Sequence, residues 1–256
     1  MTLPASLREV GSRTFEGCTA LERVTLPDGV TADGFHKEKS IHWWTNGFWG
    51  GLNWLLYDYT KNEEYLKTAK EQEILMDEAL KHYEKLHHDV GFMWHILSGA
   101  SYRLTGDMKS RNRNMLCAMT LASRFKLNGN YIRAWNDENT TSRSNNGWSI
   151  IDCMMNLSLL FWASRETEDP RFANIAKIHA DMTLRQFIRE NGSVSHIIEI
   201  NPATGARVAE HGGQGYTLGG SWSRGQSWAV YGYALSYRYT GRQEYLESVV
   251  NRTLFR

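Results

Sequence analysis

Apolar and polar positions alternate along residues 40 to 256 with the period of α-helices. A strongly apolar helix is followed each time by a charged, amphipathic one. The predicted ranges are 48–59, 63–85, 91–104, 108–125, 148–164, 171–189 and 226–239, with another helix from 244 onward. Apolar helices inside and amphipathic helices outside describe an α/α toroid.

The junctions within the helix pairs resemble one another and indicate a repeated unit. They read Tyr59-Thr60-Lys61, Leu104-Thr105-Gly106, Glu166-Thr167-Glu168 and Tyr239-Thr240-Gly241. This recurrence predicts four copies of one helix-turn-helix unit. Helix bundles and solenoids use similar units, but the apolar first helices favour a closed ring. The predicted fold class is therefore all-α, with the helical hairpins arranged as a toroid.

One stretch, residues 191 to 225, interrupts the helical pattern. Residues 193 to 200 have high β-propensity and end at Asn201-Pro202-Ala203-Thr204-Gly205, a turn sequence. We therefore expect a β-hairpin near 193–210. Loops this long within a compact domain are usually functional.

Residues 1 to 39 do not follow the helical pattern and are predicted to form a separate segment. Leu3-Pro4-Ala5-Ser6-Leu7 recurs as Leu26-Pro27-Asp28-Gly29-Val30, and Gly11 recurs as Gly34. With Phe15 to Leu21 between them, the stretch resembles the leucine-rich repeats of BspA-type bacterial surface proteins. Only about one repeat is present, and a single repeat cannot bury its own apolar face. Residues 40–256 form the second predicted unit.

Charge and cysteine content exclude several functional classes. The net charge is +1, from 29 basic and 28 acidic residues, so nucleic acid is not an expected partner. The three cysteines lie far apart and give neither a disulfide framework nor a zinc pattern. No run is apolar enough to span a membrane, and no signal peptide is visible. We therefore expect a cytoplasmic protein without a membrane partner. The oligomeric state is not readable from the sequence.

Four motifs with unusual residues occupy matching places, each just before an apolar helix. They are Trp43 to Gly47, His87-His88-Asp89, Asn145 to Asp152, and Trp222 to Trp228. In a toroid of hairpins all first helices run in the same direction, so their N-terminal ends gather at one mouth of the ring. The topology therefore predicts that these four motifs form one site.

The residues at this mouth fit an acidic carbohydrate. Helix N-termini attract anions, and the guanidinium of Arg224 can bind a carboxylate in a fork. Trp44, Trp222 and Trp228 offer flat faces for sugar rings. Asp89 and Asp152 are the pair of carboxyl groups that acid/base chemistry on a sugar needs. The residues alone thus predict an enzyme acting on an acidic carbohydrate.

Each of these residues also has a purely structural interpretation. Asp152 could cap a helix together with Ser149, and Asp89 could be a helix N-cap. The two histidines His88 and His196 could be ordinary polar residues, Arg224 could form a surface ion pair, and the tryptophans could belong to the core. His87-His88-Asp89 could bind a metal, but adjacent histidines do not share a helix face, so no metal is predicted.

Residues from about Ser40 to the end resemble the unsaturated glucuronyl hydrolases, glycoside hydrolase family 88. The matching stretches are Trp44 to Trp49, His88 to Phe92, Asn146-Gly147-Trp148 through Asp152, Gly213 to Tyr216, and Trp222 to Trp228. The resemblance implies an (α/α)6 barrel of six hairpins. About four hairpins are counted here, so the toroid is expected to be incomplete.

The resemblance also implies an activity, namely removal of the 4,5-unsaturated uronic acid that polysaccharide lyases leave on glycosaminoglycan oligosaccharides. It implies that Asp152 is the general acid and base, and that Asp89 is the second carboxylate. The implied substrate contacts are Trp44, His88, His196, Gln214, Trp222, Arg224 and Trp228. No cofactor is implied. Two alternatives stay open, an unsaturated rhamnogalacturonyl hydrolase on the same fold and a non-catalytic carbohydrate-binding protein.

Overall fold

The structure, a computed structural model, describes residues 40–137 and 144–248. Helical hairpins follow one another along the chain, as the sequence pattern predicts. They consist of α1 (Asn46–Thr60) with α2 (Glu63–Lys81), α3 (Ser98–Thr105) with α4 (Met108–Ser123), α5 (Cys153–Thr167) with α6 (Pro170–Gln186), and α7 (Ser223–Thr240) with α8 (Gln243–Glu247). A 3-10 turn, Tyr83–Lys85, follows α2, and a π-helical turn, Gly91–His95, precedes α3.

The hairpin junctions share one geometry, which explains their similar sequences. The first helix ends at a residue in the left-handed region in every case: Lys61 (φ 56°), Gly106 (φ 72°), Glu168 (φ 57°) and Gly241 (φ 70°). The threonine before it donates its hydroxyl to the carbonyl four residues back, and accepts the N–H two residues on. In the first three junctions Asn62, Asp107 and Asp169 then cap the second helix. The repeated unit is confirmed.

Glycine is the preferred residue at these left-handed positions, and this gives a stability prediction. We expect Glu168→Gly to stabilise the chain by roughly 0.5 to 1 kcal/mol, because a Cβ at positive φ is strained. Gly106→Ala is the matched control, since no atom lies within 4 Å of the added Cβ and only the backbone conformation opposes it. Gly106→Ala should destabilise by about 1 kcal/mol. Urea unfolding of both variants measures the effect, and a loss of stability in Glu168→Gly would contradict it.

The first helices pack side by side and the second helices pack outside them, which is the arrangement of an α/α toroid. α1 contacts the π-helical turn, that turn contacts α5, and α5 contacts α7. Each first helix also packs against its own second helix. The buried core runs through all of these helices, with Trp54, Trp94, Leu157 and Tyr233 among its side chains. The all-α fold class is confirmed.

Two predicted helices begin differently in the structure. The predicted helix 148–164 starts only at Cys153, because Trp148–Ile150 forms strand β3. The start of the predicted helix 91–104 is the π-helical turn, after which α3 begins at Ser98. In both places a distant partner determines the backbone: β3 pairs with a strand formed by residues 197–200, and Gly91 packs against Asn156.

The interruption at residues 191 to 225 contains the predicted β-hairpin. Strands β4 (Ile197–Ile200) and β5 (Arg207–His211) pair antiparallel, and β3 adds a third strand beside β4. Because β3 leads directly into α5, this sheet holds the start of that helix. A second, smaller sheet joins β1 (Phe125–Lys126) to β2 (Tyr131–Ile132).

One face of α1 carries exposed apolar side chains at helical spacing, namely Phe48, Leu52, Leu55 and Tyr59. Three of these side chains and Tyr231 of α7 line a cavity of about 490 Å³. On the opposite face of α1, Gly50, Gly51 and Trp54 are buried. On that face α1 packs into the interior, as predicted for the first helix of a hairpin.

The predicted leucine-rich-repeat segment, residues 1 to 39, lies outside the described residues and stays a prediction. Within the described residues, no helix has the length and apolar character needed to cross a lipid bilayer.

Candidate active site

The N-terminal ends of the first helices meet around the ring of Phe92. Its centroid lies 5.3 Å from that of Trp44, before α1, and 5.7 Å from that of Phe48 in α1. It also lies 5.3 Å from that of Trp228 in α7. Aromatic pairs at such distances are favourable contacts. One aromatic cluster therefore holds motifs from three hairpins at the same mouth, as the topology predicts.

The side chain of Asn156 joins the segment after Asp89 to the segment after Asp152. Its Oδ1 accepts the backbone N–H of Phe92 at 2.8 Å, and its Nδ2 donates to the carbonyl of Asp152 at 3.2 Å. The contact needs a glycine at position 91, because a Cβ there would lie 2.5 Å from Asn156 Oδ1. A buried amide thus places the two acidic motifs side by side.

Asp152 stands at the start of α5, but its side chain does not cap the helix. Ser149 belongs to β3 and does not form the capping arrangement that the sequence allowed. Instead, Asp152 Oδ2 lies 3.6 Å from Nε2 of His196, and the side chain keeps 19% of its surface exposed. The carboxyl group is therefore free to reach a ligand in the mouth.

Asp89 is buried between two imidazole rings and is not an N-cap, since the π-helical turn after it has no side-chain cap. Its Oδ2 lies 3.3 Å from His87 Nδ1, and its Oδ1 lies 3.3 Å from His88 Nε2. Burial, and then the negative charge of Asp152, raise the pKa of Asp89 well above its ordinary value, while Arg124 opposes this. Asp89 therefore holds a proton at pH values where an exposed aspartate has lost it.

The two histidines beside Asp89 are held in their neutral form. Burial, followed by the charge of Arg124, lowers the pKa of His87 to about 4. Burial also lowers the pKa of His88 well below its ordinary value. Because both rings are neutral, they bring no compensating positive charge to Asp89.

His87, His88 and Asp89 bring their possible ligand atoms within 4.8 Å of one another. These residues lie between two short turns and not in a helix, so both rings can face the carboxyl group. Two imidazoles and a carboxylate are donors that suit Zn²⁺. The prediction of no metal stays a prediction.

His196 is positioned by the loop that follows β5. Its Nδ1 accepts the backbone N–H of Gln214 at 2.9 Å, so the neutral ring carries its proton on Nε2, which faces Asp152. Gly213 (φ 57°) makes this possible, because a Cβ there would lie 1.9 Å from Nδ1 of His196. A backbone contact thereby selects the tautomer that presents an N–H to the carboxyl group.

Arg224 lies across two of the predicted tryptophans. Its guanidinium carbon is 4.4 Å from the ring centroid of Trp222 and 5.6 Å from that of Trp44. Its Nη2 donates to Oε1 of Gln214 at 2.6 Å. None of the carboxylates in the described part of the chain pairs with Arg224, so the ion-pair interpretation does not hold there. The result is an exposed cation, stacked on aromatic rings, that can bind an anion.

The half-buried guanidinium of Arg124 links the residue before the His87-His88-Asp89 motif to residues 133–136 of the same chain. It donates to the carbonyls of Arg133, Ala134 and Leu86, and to Oδ1 of Asn136. The backbone N–H of His88 bonds to the carbonyl of Ala134 as well. Burial lowers the pKa of Arg124 to about 10, so it stays charged near neutral pH and acts on Asp89.

The structure brings all of the predicted site residues to this one mouth. They are Asp89, Asp152, Trp44, His88, His196, Gln214, Trp222, Arg224 and Trp228. None of the three tryptophans is in the buried core. The sequence assigned no role in the site to Phe92, Arg124, Asn156 and Gly213, and weighed His87 only as a metal ligand. Phe92 and Gly213 lie inside the quoted motifs, and Asn156 is a lone amide in an apolar run.

The described chain is thus an α/α toroid with paired carboxyl groups and a stacked arginine at its mouth. The family model described as Glycosyl Hydrolase Family 88 matches residues 19–252. The chain belongs to this family. The match begins at residue 19, inside the segment that resembles a leucine-rich repeat.

Curated relatives are identical to the chain at about a third of the aligned positions. The unsaturated glucuronyl hydrolase of Bacillus sp. (strain GL1) is 36% identical over 206 residues, which cover 80% of this chain and 54% of that protein. The unsaturated chondroitin disaccharide hydrolase of Streptococcus pneumoniae (strain ATCC BAA-255 / R6) is 34% identical over 215 residues, covering 84% and 54%. The chain spans about half the length of the curated relatives it matches.

Solved structures of unsaturated glucuronyl hydrolases have the same fold. The enzyme from Bacillus sp. GL1 superimposes with a TM-score of 0.76 at 32% identity, over 86% of this chain and 63% of that one. A mutant of the Streptococcus agalactiae enzyme complexed with dGlcA-GalNAc6S gives a TM-score of 0.63 at 29% identity, over 81% and 49%. These neighbours are (α/α)6 toroids, which confirms the predicted type of ring.

Proposed function

We propose that the chain removes a 4,5-unsaturated uronic acid from the non-reducing end of lyase-generated glycosaminoglycan oligosaccharides. The observation that carries this proposal is the pair of Asp89 and Asp152 on neighbouring hairpins, at the mouth where the exposed guanidinium of Arg224 stacks on Trp222. The names of the relatives support the same substrate class.

The mouth offers complementary groups for such a substrate. Arg224 would bind the uronate carboxylate, and Trp44, Trp222 and Trp228 would line the sugar ring. His88, His196 and Gln214 would supply hydrogen bonds to its oxygen atoms. An unsaturated uronic acid is flat around its double bond, so it suits a site with several aromatic faces.

The proposed reaction is hydration of the vinyl ether, with Asp152 as both acid and base. Asp152 gives its proton to C4, and a water molecule adds its oxygen to C5. The resulting carboxylate of Asp152 takes the proton that this water loses, so the side chain returns to its initial state. The C5 hemiketal then opens, and the hemiacetal at C1 releases the shortened saccharide as an alcohol. One water is consumed in total.

A second carboxyl group, that of Asp89, lies near Asp152. Burial keeps Asp89 protonated, and Asp89 lies close enough for its pKa to be raised by the charge of Asp152. The Nε2–H of His196 then stabilises the carboxylate that forms after protonation of C4.

An ultraviolet assay tests the proposal, because hydration destroys the conjugated double bond of the uronate. With purified chain and an unsaturated chondroitin disaccharide, we expect the absorbance of that chromophore to disappear. An unsaturated rhamnogalacturonan disaccharide, assayed in parallel, should lose it much more slowly. Faster loss with the rhamnogalacturonan substrate would favour the alternative hydrolase.

A binding protein gives a different result in the same experiment. If circular dichroism shows a folded chain and the absorbance persists with both substrates, the chain does not have the proposed activity. A cytoplasmic location, and the absence of nucleic-acid and membrane partners, stay predictions from the sequence.

A further inference from the structure

One face of the three-stranded sheet carries polar and aromatic side chains outside the main core. In the antiparallel register Trp148 pairs with Glu199, and Ile197 pairs with His211. Paired residues point to the same side, and residues two apart along a strand also share a side. Trp148, Glu199 and His211 therefore lie on one face, opposite Ile198 and its core neighbours.

These three side chains touch one another in an ordered way. His211 Nε2 lies 2.7 Å from Glu199 Oε2, and the imidazole centroid lies 5.0 Å from that of Trp148, with 32° between the planes. The carboxylate accepts the Nε2–H, so it fixes the orientation of the ring and leaves the Nδ1 edge for another partner. His211 and Glu199 are about one fifth exposed. Trp148 in turn contacts Trp135.

The group lies next to the candidate active site along both of its strands. Trp148 comes four residues before Asp152, and His211 comes three residues before Gln214. Strand residues rise about 3.3 Å each, and neighbouring strands lie about 4.8 Å apart. The group is therefore roughly 10 to 13 Å from the Asp152 carboxyl group, which corresponds to one or two sugar rings.

We propose that His211, oriented by Glu199 and stacked on Trp148, contacts the saccharide released in the reaction and determines which leaving saccharide is preferred. The inference rests on the proposed function, since that function puts the uronic acid at Asp152 and the leaving saccharide beside it. The Nδ1 edge of the imidazole offers a hydrogen bond to a sugar hydroxyl. Glu199 is a positioning residue, because it acts through His211.

The test compares two substrates that differ only in the leaving group. They are an unsaturated chondroitin disaccharide and the methyl glycoside of the unsaturated uronic acid, whose leaving group is methanol. For His211→Gln we expect KM for the disaccharide to rise about fivefold, with kcat within about twofold, because one hydrogen bond and one stacking contact are lost. KM for the methyl glycoside should stay within about twofold.

Two variants of Glu199 separate positioning from folding. Glu199→Gln keeps an oxygen that accepts the Nε2–H, so it should behave nearly like the wild type. Glu199→Leu removes that acceptor and should reproduce the KM effect of His211→Gln. Val208→Thr is the matched control, because Val208 is an exposed residue of the same strand β5.

Equal losses with both substrates in His211→Gln and Glu199→Leu would overturn the proposal, and so would unchanged KM with both. If the wild-type chain hydrates neither substrate, the proposed function fails. In that case, binding of the disaccharide is measured by tryptophan fluorescence. Affinity about fivefold weaker in His211→Gln would then still support the contact. Unchanged affinity, or no binding by the wild type, would overturn it.

Discussion

Asp152→Asn is expected to lower kcat at least about 1,000-fold while the substrate still binds. Asparagine has the shape of aspartate and keeps an oxygen facing His196 Nε2, which lies 3.6 Å from Asp152 Oδ2 in the wild type. It can neither give a proton to C4 nor take one from water. The proposed reaction uses Asp152 for both transfers, so the variant loses both.

The measurement is turnover of the unsaturated chondroitin disaccharide, together with its binding by tryptophan fluorescence. Asp58→Asn serves as the control, because Asp58 is an exposed acid near the other end of α1. It should keep normal turnover. Near-normal turnover in Asp152→Asn would remove Asp152 from the acid/base role, and loss of both binding and secondary structure would indicate a folding defect instead.

The helices were predictable from the sequence because helical periodicity is local. The junctions were predictable for the same reason, since threonine and a left-handed residue such as Gly106 act within one turn. Strand β3 was not, because Trp148–Ile150 is as apolar as the helix after it. Only pairing with β4, almost fifty residues away, makes this segment extended.

The position of the site was predictable from topology, but its electrostatics were not. The sequence left open whether Asp152 caps a helix or acts in catalysis. The capping arrangement requires Ser149 to lie at the start of the helix, and the sequence does not show where the helix starts. In the structure Ser149 is in a strand. Likewise Arg124 and Asn156 orient the acidic motifs from other elements, and no spacing rule connects them to Asp89.

The second large effect is expected for Asp89→Asn, which should lower kcat about 100-fold or more and yet stabilise the folded chain near neutral pH. The loss of activity follows from removing the second carboxyl group of the proposed site, which lies near Asp152. The gain in stability follows from the raised pKa of Asp89, whose main cause is burial and whose second cause is the charge of Asp152.

The pH dependence of this stability change has a definite sign. In the unfolded chain the carboxyl group ionises near pH 4, whereas in the folded chain it keeps its proton to higher pH. Over that interval the folded state binds more protons, so wild-type stability falls by up to about 1.4 kcal/mol per pH unit as pH rises. Below about pH 4 both states are protonated and the effect disappears. Asparagine does not titrate and avoids the loss.

Thermal unfolding followed by circular dichroism between pH 4 and pH 8 measures the difference. We expect the Tm of Asp89→Asn to equal that of the wild type near pH 4 and to exceed it by at least about 3 °C at pH 7 to 8. The titration of His87 and His88 contributes to both proteins alike, since the amide keeps both contacts.

Asp58→Asn gives the opposite trend and so controls for the substitution itself. A hydrogen bond from Lys61, followed by its charge, lowers the pKa of Asp58, so ionised Asp58 contributes stability that is lost as pH falls through its folded pKa. The decrease in stability caused by Asp58→Asn should therefore be present at neutral pH and vanish in acid. A Tm gain in Asp89→Asn that is independent of pH would show that burial of the side chain, and not retention of its proton, causes the effect.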